Sequence, residues 1–443
     1  MKLLPGINVI QKSDTPIHDW YRFVLSYPPH LVRQYIERFD IRGRDLLCDP
    51  FCGTGTTLVE AKKSSIRSVG CDAHPFAALV SRVKTNWSLD VDLLSSLRRR
   101  ILAGAEKQMV RHRLPKLSLY TMLNGDTGSE TKNGYRLSES EEKLLPTGFL
   151  SDRPLQRLLI LRDAIEEMTV AYPQSIRDFF LLALAHVVAN GAGNFAFGPE
   201  IYRTNPKPDY EVLEHFAGHV GLMVTEMESA QVAGYDKVTS RVFLDDARRL
   251  DQMPSGLAGV ITSPPYPNEK DYTRTTRVES LLLGLLKNRE QLRFVKESLL
   301  RSNTRNVFVG DRDGDEVAEF KSIRAVSHKI EQRRVELRKT SGFEKLYHKV
   351  VAHYFGGMRR HFRVLRPKLK PRATLAYVLG DQMSFLMVRI ATAELLGEVA
   401  EAEGFKVVGR ELWRERIGTR VRNSETNQRT VRSREEILIL QKA

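Results

Sequence analysis

Asp45-Leu46-Leu47-Cys48-Asp49-Pro50-Phe51-Cys52-Gly53-Thr54-Gly55-Thr56-Thr57, followed by Leu58-Val59-Glu60-Ala61-Lys62-Lys63, reads as strand, glycine turn and helix. Glycines at 53 and 55 allow close backbone approach to a ligand at a helix N-terminus, as in dinucleotide folds. The spacing departs from theirs. It is Phe-x-Gly-x-Gly with an acid, Asp49, four residues ahead of Gly53, and no third glycine follows to pack a pyrophosphate site. An acid at a strand end suits a cationic ligand group better than a phosphate. About twenty residues on, Ser68-Val69-Gly70-Cys71-Asp72 reads as a second strand whose terminal acid is placed to accept hydrogen bonds from ribose hydroxyls. Amine, ribose and adenine in one ligand describe S-adenosylmethionine.

A second motif, Thr262-Ser263-Pro264-Pro265-Tyr266, follows the apolar run Leu257-Ala258-Gly259-Val260-Ile261, which reads as a buried strand. The two prolines fix the backbone and remove two N–H donors, so carbonyls around Ser263 and Pro264 can point at a ligand as acceptors. Tyr266 offers a flat face beside them. The set suits an exocyclic amine on a planar base, its hydrogens taken by carbonyl and hydroxyl oxygens while the aromatic ring stacks. A plain proline turn leaving a core strand has the same local sequence, so the weight comes from the pairing with the first motif.

Taken in order, these motifs resemble those of the DNA amino-methyltransferases, which make N4-methylcytosine or N6-methyladenine. The resemblance implies a Rossmann-like α/β methyltransferase sheet with two large, mainly helical insertions. On that likeness Asp49, Phe51, Gly53, Gly55, Thr56 and Thr57 form the cofactor loop and Asp72 the ribose-binding acid. Ser263, Pro264, Pro265 and Tyr266 are the catalytic tetrapeptide. Val242 to Leu250 matches the third strand, whose acid, Asp246, contacts the adenine amino group in relatives. His18 to Phe23 and Tyr27 to Val32 resemble the segment covering the methionine end of the cofactor, with Tyr27 at the ligand. Tyr354 to Lys370, Ala373 to Asp381, Gly404 to Val408 and Glu435 to Leu440 supply a helix and the last three strands.

The expected organisation is a cofactor-binding part at 1–87, a helical insertion at 88–240, the third and fourth strands with the catalytic motif at 241–267, a charged insertion at 268–350, and the rest of the sheet at 351–443. Both insertions are candidates for reading the target. Topology favours the second, because ligands of open parallel sheets sit beyond the strands' carboxyl ends and 268–350 leaves directly from the tetrapeptide. Lys270, Arg274 and Arg277 follow Tyr266 closely and are expected to hold phosphates around an extruded base, unless Asp271 and Glu279 simply pair with them. In the first insertion, Asn190 to Arg203 is a glycine-rich aromatic loop suited either to wedging into a base step or to burying Phe195 and Phe197. His186, inside the apolar run Phe179 to Ala189, reads as a hydrogen-bonded core histidine.

Over 443 residues, 42% hydrophobic, the chain exceeds one ordinary domain, and a formal charge of +15 with a pI near 9.6 favours a polyanionic partner. Double-stranded DNA is the expected partner, with a cognate restriction endonuclease as a further candidate. Cys48, Cys52 and Cys71 all fall on the first two strands and the turn, which suits reduced thiols in a cytoplasmic protein. No Cys-x-x-Cys pair is present and no metal is expected. Carbon-5 methylation of cytosine needs a thiolate after the fourth strand, where this chain has Pro-Pro-Tyr. The N-terminus lacks a signal-peptide h-region, and the longest apolar run is too short to span a bilayer.

Serine ahead of Pro-Pro-Tyr points to N4 of cytosine, whereas Asp or Asn there points to N6 of adenine. Serine occurs in both groups, so N6-methyladenine stays as the alternative. The Asp49 to Gly55 loop also resembles tRNA guanine-N2 methyltransferases, but those usually carry Asp-Pro-Pro-Tyr and an N-terminal RNA-binding domain, and fewer than fifty residues precede the loop here. A nucleic-acid-binding homologue without activity is the remaining alternative.

Overall fold

Leu46-Leu47-Cys48 in the first motif, with Asp49 at the carboxyl end, form β1 (Leu46–Asp49), a short strand covered on both faces, so its first three residues run apolar without alternation. The computed structural model describes residues 11–23, 26–114, 135–198, 201–268, 270–383, 385–417 and 432–443. Its other strands are β2 (Arg67–Asp72), β3 (Phe195–Phe197), β4 (Ile201–Arg203), β5 (Ser240–Leu244), β6 (Leu257–Thr262), β7 (Leu369–Gly380), β8 (Phe405–Ile417) and β9 (Arg432–Lys442).

Seven of these form one sheet in the order β5-β2-β1-β6-β7-β9-β8. From β5 to β7 all neighbours are parallel; β9 slots between β7 and β8 and runs antiparallel to both. The chain runs outward from β1 through β2 to β5, then returns to lay β6 on the other side of β1. That reversal creates a crevice at the carboxyl ends of β1 and β6, where open α/β sheets hold ligands.

Alternation along the strands assigns the two faces. Leu375, Tyr377 and Leu379 of β7, with Leu438 and Leu440 of β9, face a core shared with Tyr354, Phe355, Met358 and Phe362 of the helix Tyr347–Leu365. Ala376, Val378, Ile437 and Ile439 face the opposite core, packed by α1 (Pro29–Arg38) and α2 (Thr56–Lys63). The mixed α/β class and the order of strands and helices agree with the sequence. One strand is shorter than expected. β5 ends at Leu244 because the Asp245 carboxylate accepts the backbone N–H groups of Asp246 (2.9 Å) and Gln252 (2.9 Å), turning the chain out of the ladder.

A third core belongs to the helices between β2 and β5. Helix α3 is Pro75–Thr85. Helix α4 (Val91–Arg111) starts where the Asp90 carboxylate accepts the N–H groups of Asp92 and Leu93, and buries Leu94, Leu97, Ile101, Ala105 and Met109 along one stripe. Helices Asp152–Thr169, Gln174–Val187 and Val212–Val232 pack with it. In the Asn190–Arg203 loop Phe195 is buried, Phe197 half-buried and Tyr202 exposed. Phe195 stacks on Phe149 at 5.6 Å, and the Lys207 ammonium donates to the carbonyls of Gly191 and Gly193.

His186 hydrogen-bonds backbone at Asp19 and Trp20, its Nδ1 has no partner among the described residues, and its ring lies 3.5 Å from that of His219. His215 and His219 share a His-x-x-x-His spacing that would suit a metal. They part in the fold: His219 is buried and bonds Trp20 O through Nε2, whereas His215 is exposed and bonds Glu211 O.

Segment 268–350 has no core of its own. Leu281, Leu282, Leu286 and Val295 join the helical core, while Leu300, Val317, Ile323 and Ile330 join the sheet core. At the first of these junctions Glu279 is fully buried; its Oε1 accepts the Tyr21 hydroxyl at 2.8 Å and its Oε2 has no partner among the described residues. Burial pushes this carboxyl from 4.5 up to about 7. A carboxyl raised by folding contributes stability that is complete below its unfolded value and lost as the pH climbs through the folded one. Between about pH 5 and 8 the wild-type protein is therefore expected to lose on the order of 2 kcal/mol that Glu279→Gln retains, given ~1.4 kcal/mol per pKa unit. Urea midpoints that move in parallel for the two proteins over this range would refute it.

Candidate active site

Pro50 to Thr54 bridges β1 and α2 in a tight loop, with Gly53 at φ 51° and Gly55 at φ 86°, both in the region that favours glycine. Asp49 sits at its base, fully buried. One carboxylate oxygen accepts Thr262 Oγ1 (2.6 Å) and the Phe51 N–H (3.2 Å), and the other accepts the Tyr27 hydroxyl (3.0 Å). Burial, offset by these donors, leaves its carboxyl at about 6. Thr57 completes the node, bonding Ile261 O (3.0 Å) and contacting the Tyr27 hydroxyl. The Asp49 side chain thus ties β1 to β6 and to the N-terminal segment.

Above this node lies a cavity of about 660 Å³ at the carboxyl ends of β1, β2, β6 and β7. Tyr27, Phe51, Gly53, Thr56, Asp72, Asp246 and the whole of Ser263-Pro264-Pro265-Tyr266 line it. Asp49, Gly55 and Thr57 do not; they lie beneath its floor. An acid at a strand end was expected to meet a cationic ligand group directly, but Thr262 on the neighbouring strand takes that carboxylate instead.

Asp72 does face the cavity. Its two oxygens accept the N–H groups of His74 (2.8 Å) and Gly53 (3.0 Å), which fixes the glycine turn over the end of β2, and burial lifts it to about 6. Asp246 lines the same wall, with both oxygens engaged by Arg248 through Nε (3.0 Å) and Nη2 (2.7 Å). Arg248 is anchored in turn by Asp313 at 2.7 Å.

The Ser263 hydroxyl donates to Val378 O on β7 at 3.1 Å. With its proton so directed, the oxygen's lone pairs remain as acceptors. Tyr266 is half-buried and packs across the end of β7, where a Cβ added to Gly380 would lie 3.0 Å from Tyr266 Cε2. Gly380 thereby makes room for the tyrosine ring.

The three basic residues after the tetrapeptide separate. Lys270 lines the cavity, Arg274 is exposed one turn on, and Arg277 reaches back onto the preceding helical turn Tyr272–Thr275, with Nε on Thr273 O at 3.0 Å and Nη2 on Thr273 Oγ1 at 3.2 Å. Arg277 is therefore not a cavity residue. The two acids go elsewhere: Asp271 pairs with Lys296 at 2.9 Å and Glu279 with Tyr21.

Several further residues stand in the wall. His74 is buried beside the cavity, with burial holding its imidazole down at about 4. Tyr272 and Phe23 meet at 6.3 Å. At the far wall stand Trp413, Arg414 and Glu435 from β8 and β9. Only strand register brings these last residues to the site, and a sequence without the sheet order gives no sign of it.

A scan against protein families matches residues 8–81 to the DNA methylase family. The chain is 23% identical over 417 residues to the Type II methyltransferase M.BsoBI of Geobacillus stearothermophilus, spanning 88% of this chain and 79% of that protein. Both matches support a methyltransferase of the DNA amino-methyltransferase type. Another methyltransferase of that type, M.MjaII of Methanocaldococcus jannaschii, is 37% identical over 68 residues, 15% of this chain and 13% of its own. Among solved structures, TrmN from Thermus thermophilus aligns with a TM-score of 0.31 at 11% identity, over 97% of this chain and 53% of its own. Among the described residues of this methyltransferase, no helix is long and apolar enough to cross a membrane, and no cluster of three or more ligating side chains could hold a metal ion.

The donor set of the methyltransferase fits S-adenosylmethionine. Asp72 offers a carboxylate to vicinal hydroxyls, and a Cβ built on Gly53 would meet nothing within 4 Å, leaving open cavity above the turn for a ligand. Gly53→Ala would put a methyl group into that space and strain a backbone at positive φ. Its cofactor affinity is expected to fall about tenfold, ~1.4 kcal/mol, because the methyl group takes space the ligand needs, while the backbone strain lowers stability in free and bound protein alike. Calorimetric titration with S-adenosylmethionine checks this, and unchanged affinity would remove the turn from the binding site.

Proposed function

We propose that this chain transfers a methyl group from S-adenosylmethionine to the exocyclic amine of a base swung out of double-stranded DNA, N4 of cytosine. The observation that carries this reading is the Ser263 hydroxyl, which gives its proton to Val378 O and so presents lone pairs to the cavity beside an aromatic face. Such an oxygen accepts from an N–H, and it lies 3.5 Å from the Tyr266 hydroxyl, which places acceptor and aromatic face side by side.

When bound, S-adenosylmethionine supplies an electrophilic methyl group on a sulfonium sulfur. Asp72 would accept its ribose hydroxyls, Asp246, oriented by Arg248, its adenine amine, and the Gly53 turn would leave room for it. Asp49 acts as a positioning residue, holding the loop, β6 and Tyr27 in one arrangement. Ser263 and the adjacent proline carbonyls orient the amine and draw its lone pair out of ring conjugation, while Tyr266 stacks on the base. Positioning and preorganised acceptors then supply most of the rate, without a covalent enzyme adduct. Arg22 and Lys270 give the mouth a positive edge suited to the phosphates flanking an extruded nucleotide, and exposed Arg274 follows one turn on from Lys270.

Incubating purified protein with labelled S-adenosylmethionine and unmethylated duplex DNA, with tRNA in parallel, tests this. Digestion and mass spectrometry should return N4-methylcytosine. N6-methyladenine would keep the site and reverse the base, whereas label confined to tRNA, or absent from both, would overturn the assignment.

A further inference from the structure

The catalytic motif stands mid-sheet, and the residues expected to hold the cofactor all lie to one side of it, on β1, β2 and β5. The cavity continues the other way, past the ends of β7, β9 and β8. Register defines what stands there. Ser263 bonds to Val378 of β7, Tyr266 covers Gly380 of β7, Gly380 pairs with Glu435 of β9, and Glu435 pairs with Arg414 of β8. With neighbouring strands about 5 Å apart, a ring stacked on Tyr266 lies within side-chain reach of Arg414.

Glu435 is 8% exposed and grips Arg414 from the side, through Nε to one oxygen and Nη2 to the other at 2.8 Å. A guanidinium carries five N–H donors. Held at Nε and Nη2, it keeps its end-on edge, where Nη1 and Nη2 each direct an N–H in parallel. That edge matches two adjacent acceptors. Cytosine has such a pair in N3 and O2, next to N4, whereas in adenine a C–H follows N1. A surface ion pair would need no such burial, and the pair stands in the cavity wall with Tyr266 and Trp413.

We propose that Arg414, clamped by Glu435, reads the N3 and O2 edge of the extruded cytosine and so selects a pyrimidine for the amine site beside Ser263. This rests on the cytosine reading above and extends it to Arg414, outside every motif of the sequence, and to Glu435, matched there only as the start of a strand. Arg414 touches the base; Glu435 is a positioning residue.

The test is an atom-for-group cycle on a duplex carrying the methylation site, mapped first from methylated DNA, with the target cytosine replaced by 3-deazacytosine. Wild-type enzyme is expected to lose about 10- to 100-fold in kcat/KM on the analogue, the range of one bidentate base contact. Arg414→Lys keeps the charge and loses the fork; it should be slowed similarly on ordinary cytosine and distinguish the two duplexes by less than about threefold, well below one bidentate contact. Glu435→Gln should show the same flattened preference with cofactor affinity unchanged by calorimetry, which a fold defect would not give. If Arg414→Lys discriminates against 3-deazacytosine as strongly as wild type, the assignment to Arg414 falls while the cytosine reading stands. If wild-type enzyme transfers no methyl group to cytosine, the reading beneath falls and takes this assignment with it.

Discussion

Ser263→Ala is expected to lower kcat for methyl transfer about 10²- to 10³-fold, the loss typical of removing one preorganised group that acts on charge developing in the transition state. The substituted hydroxyl donates to Val378 O, so its oxygen is fixed before substrate arrives and needs no reorientation during the reaction. As the amine nitrogen gains a bond to carbon, its hydrogens become more acidic, and an acceptor held in place is worth more than in the ground state. The expected signature is a fall in kcat with little change in KM for DNA. Cofactor affinity should be retained, because Ser263 lies across the motif from Asp72 and the glycine turn. Val378 O loses one donor, a cost of roughly 1 kcal/mol that is far too small to unfold the protein. Single-turnover kinetics with saturating DNA decide the matter, and wild-type turnover in this variant would remove Ser263 from the reaction.

The contiguous motifs were legible in the sequence because consecutive residues carry their own geometry. A strand followed by Gly-x-Gly dictates a turn, and Ser263 to Tyr266 emerges as a unit at the end of β6. Depth was not legible. Whether Asp49 faces the cavity or the neighbouring strand depends on Thr262, 213 positions away, and the pairing of β1 with β6 is a long-range event. Arg277 misleads for a local reason: its guanidinium reaches back one turn to Thr273, and spacing alone cannot tell that from a reach toward phosphate. The apolar stripe of Val91–Arg111 is legible in the sequence, since Leu94, Leu97, Ile101, Ala105 and Met109 fall at helical spacing. The division of 268–350 between two cores was not, because apolar residues such as Val295 and Leu300 look alike until their partners are known. Arg414 and Glu435 sit among charged residues with no motif, and only the insertion of β9 between β7 and β8 brings them to the site.

Tyr266→Ala should act on the other half of the cycle, weakening productive capture of the base rather than the transfer itself. Stacking of one base on an aromatic side chain is worth about 1–3 kcal/mol, so kcat/KM for DNA is expected to fall up to about 10²-fold. The ring is held by Gly380 beneath it, where even a methyl group would come within 3.0 Å of Cε2, and by the two prolines before it. That rigidity makes the effect one of a preformed platform, and Tyr266→Phe should recover most of it because the face is kept. Burial and the nearby Glu435 hold the Tyr266 hydroxyl well above its ordinary pKa, so it stays protonated and adds no charge for the base to meet. A duplex with a mismatch at the target already weakens base pairing, so less stacking energy is needed to hold the base outside the helix. The alanine variant is therefore expected to regain part of its loss on mismatched DNA, whereas Ser263→Ala is not. Equal deficits for Tyr266→Ala on matched and mismatched duplexes would show that the tyrosine serves the transfer step and not the capture of the base.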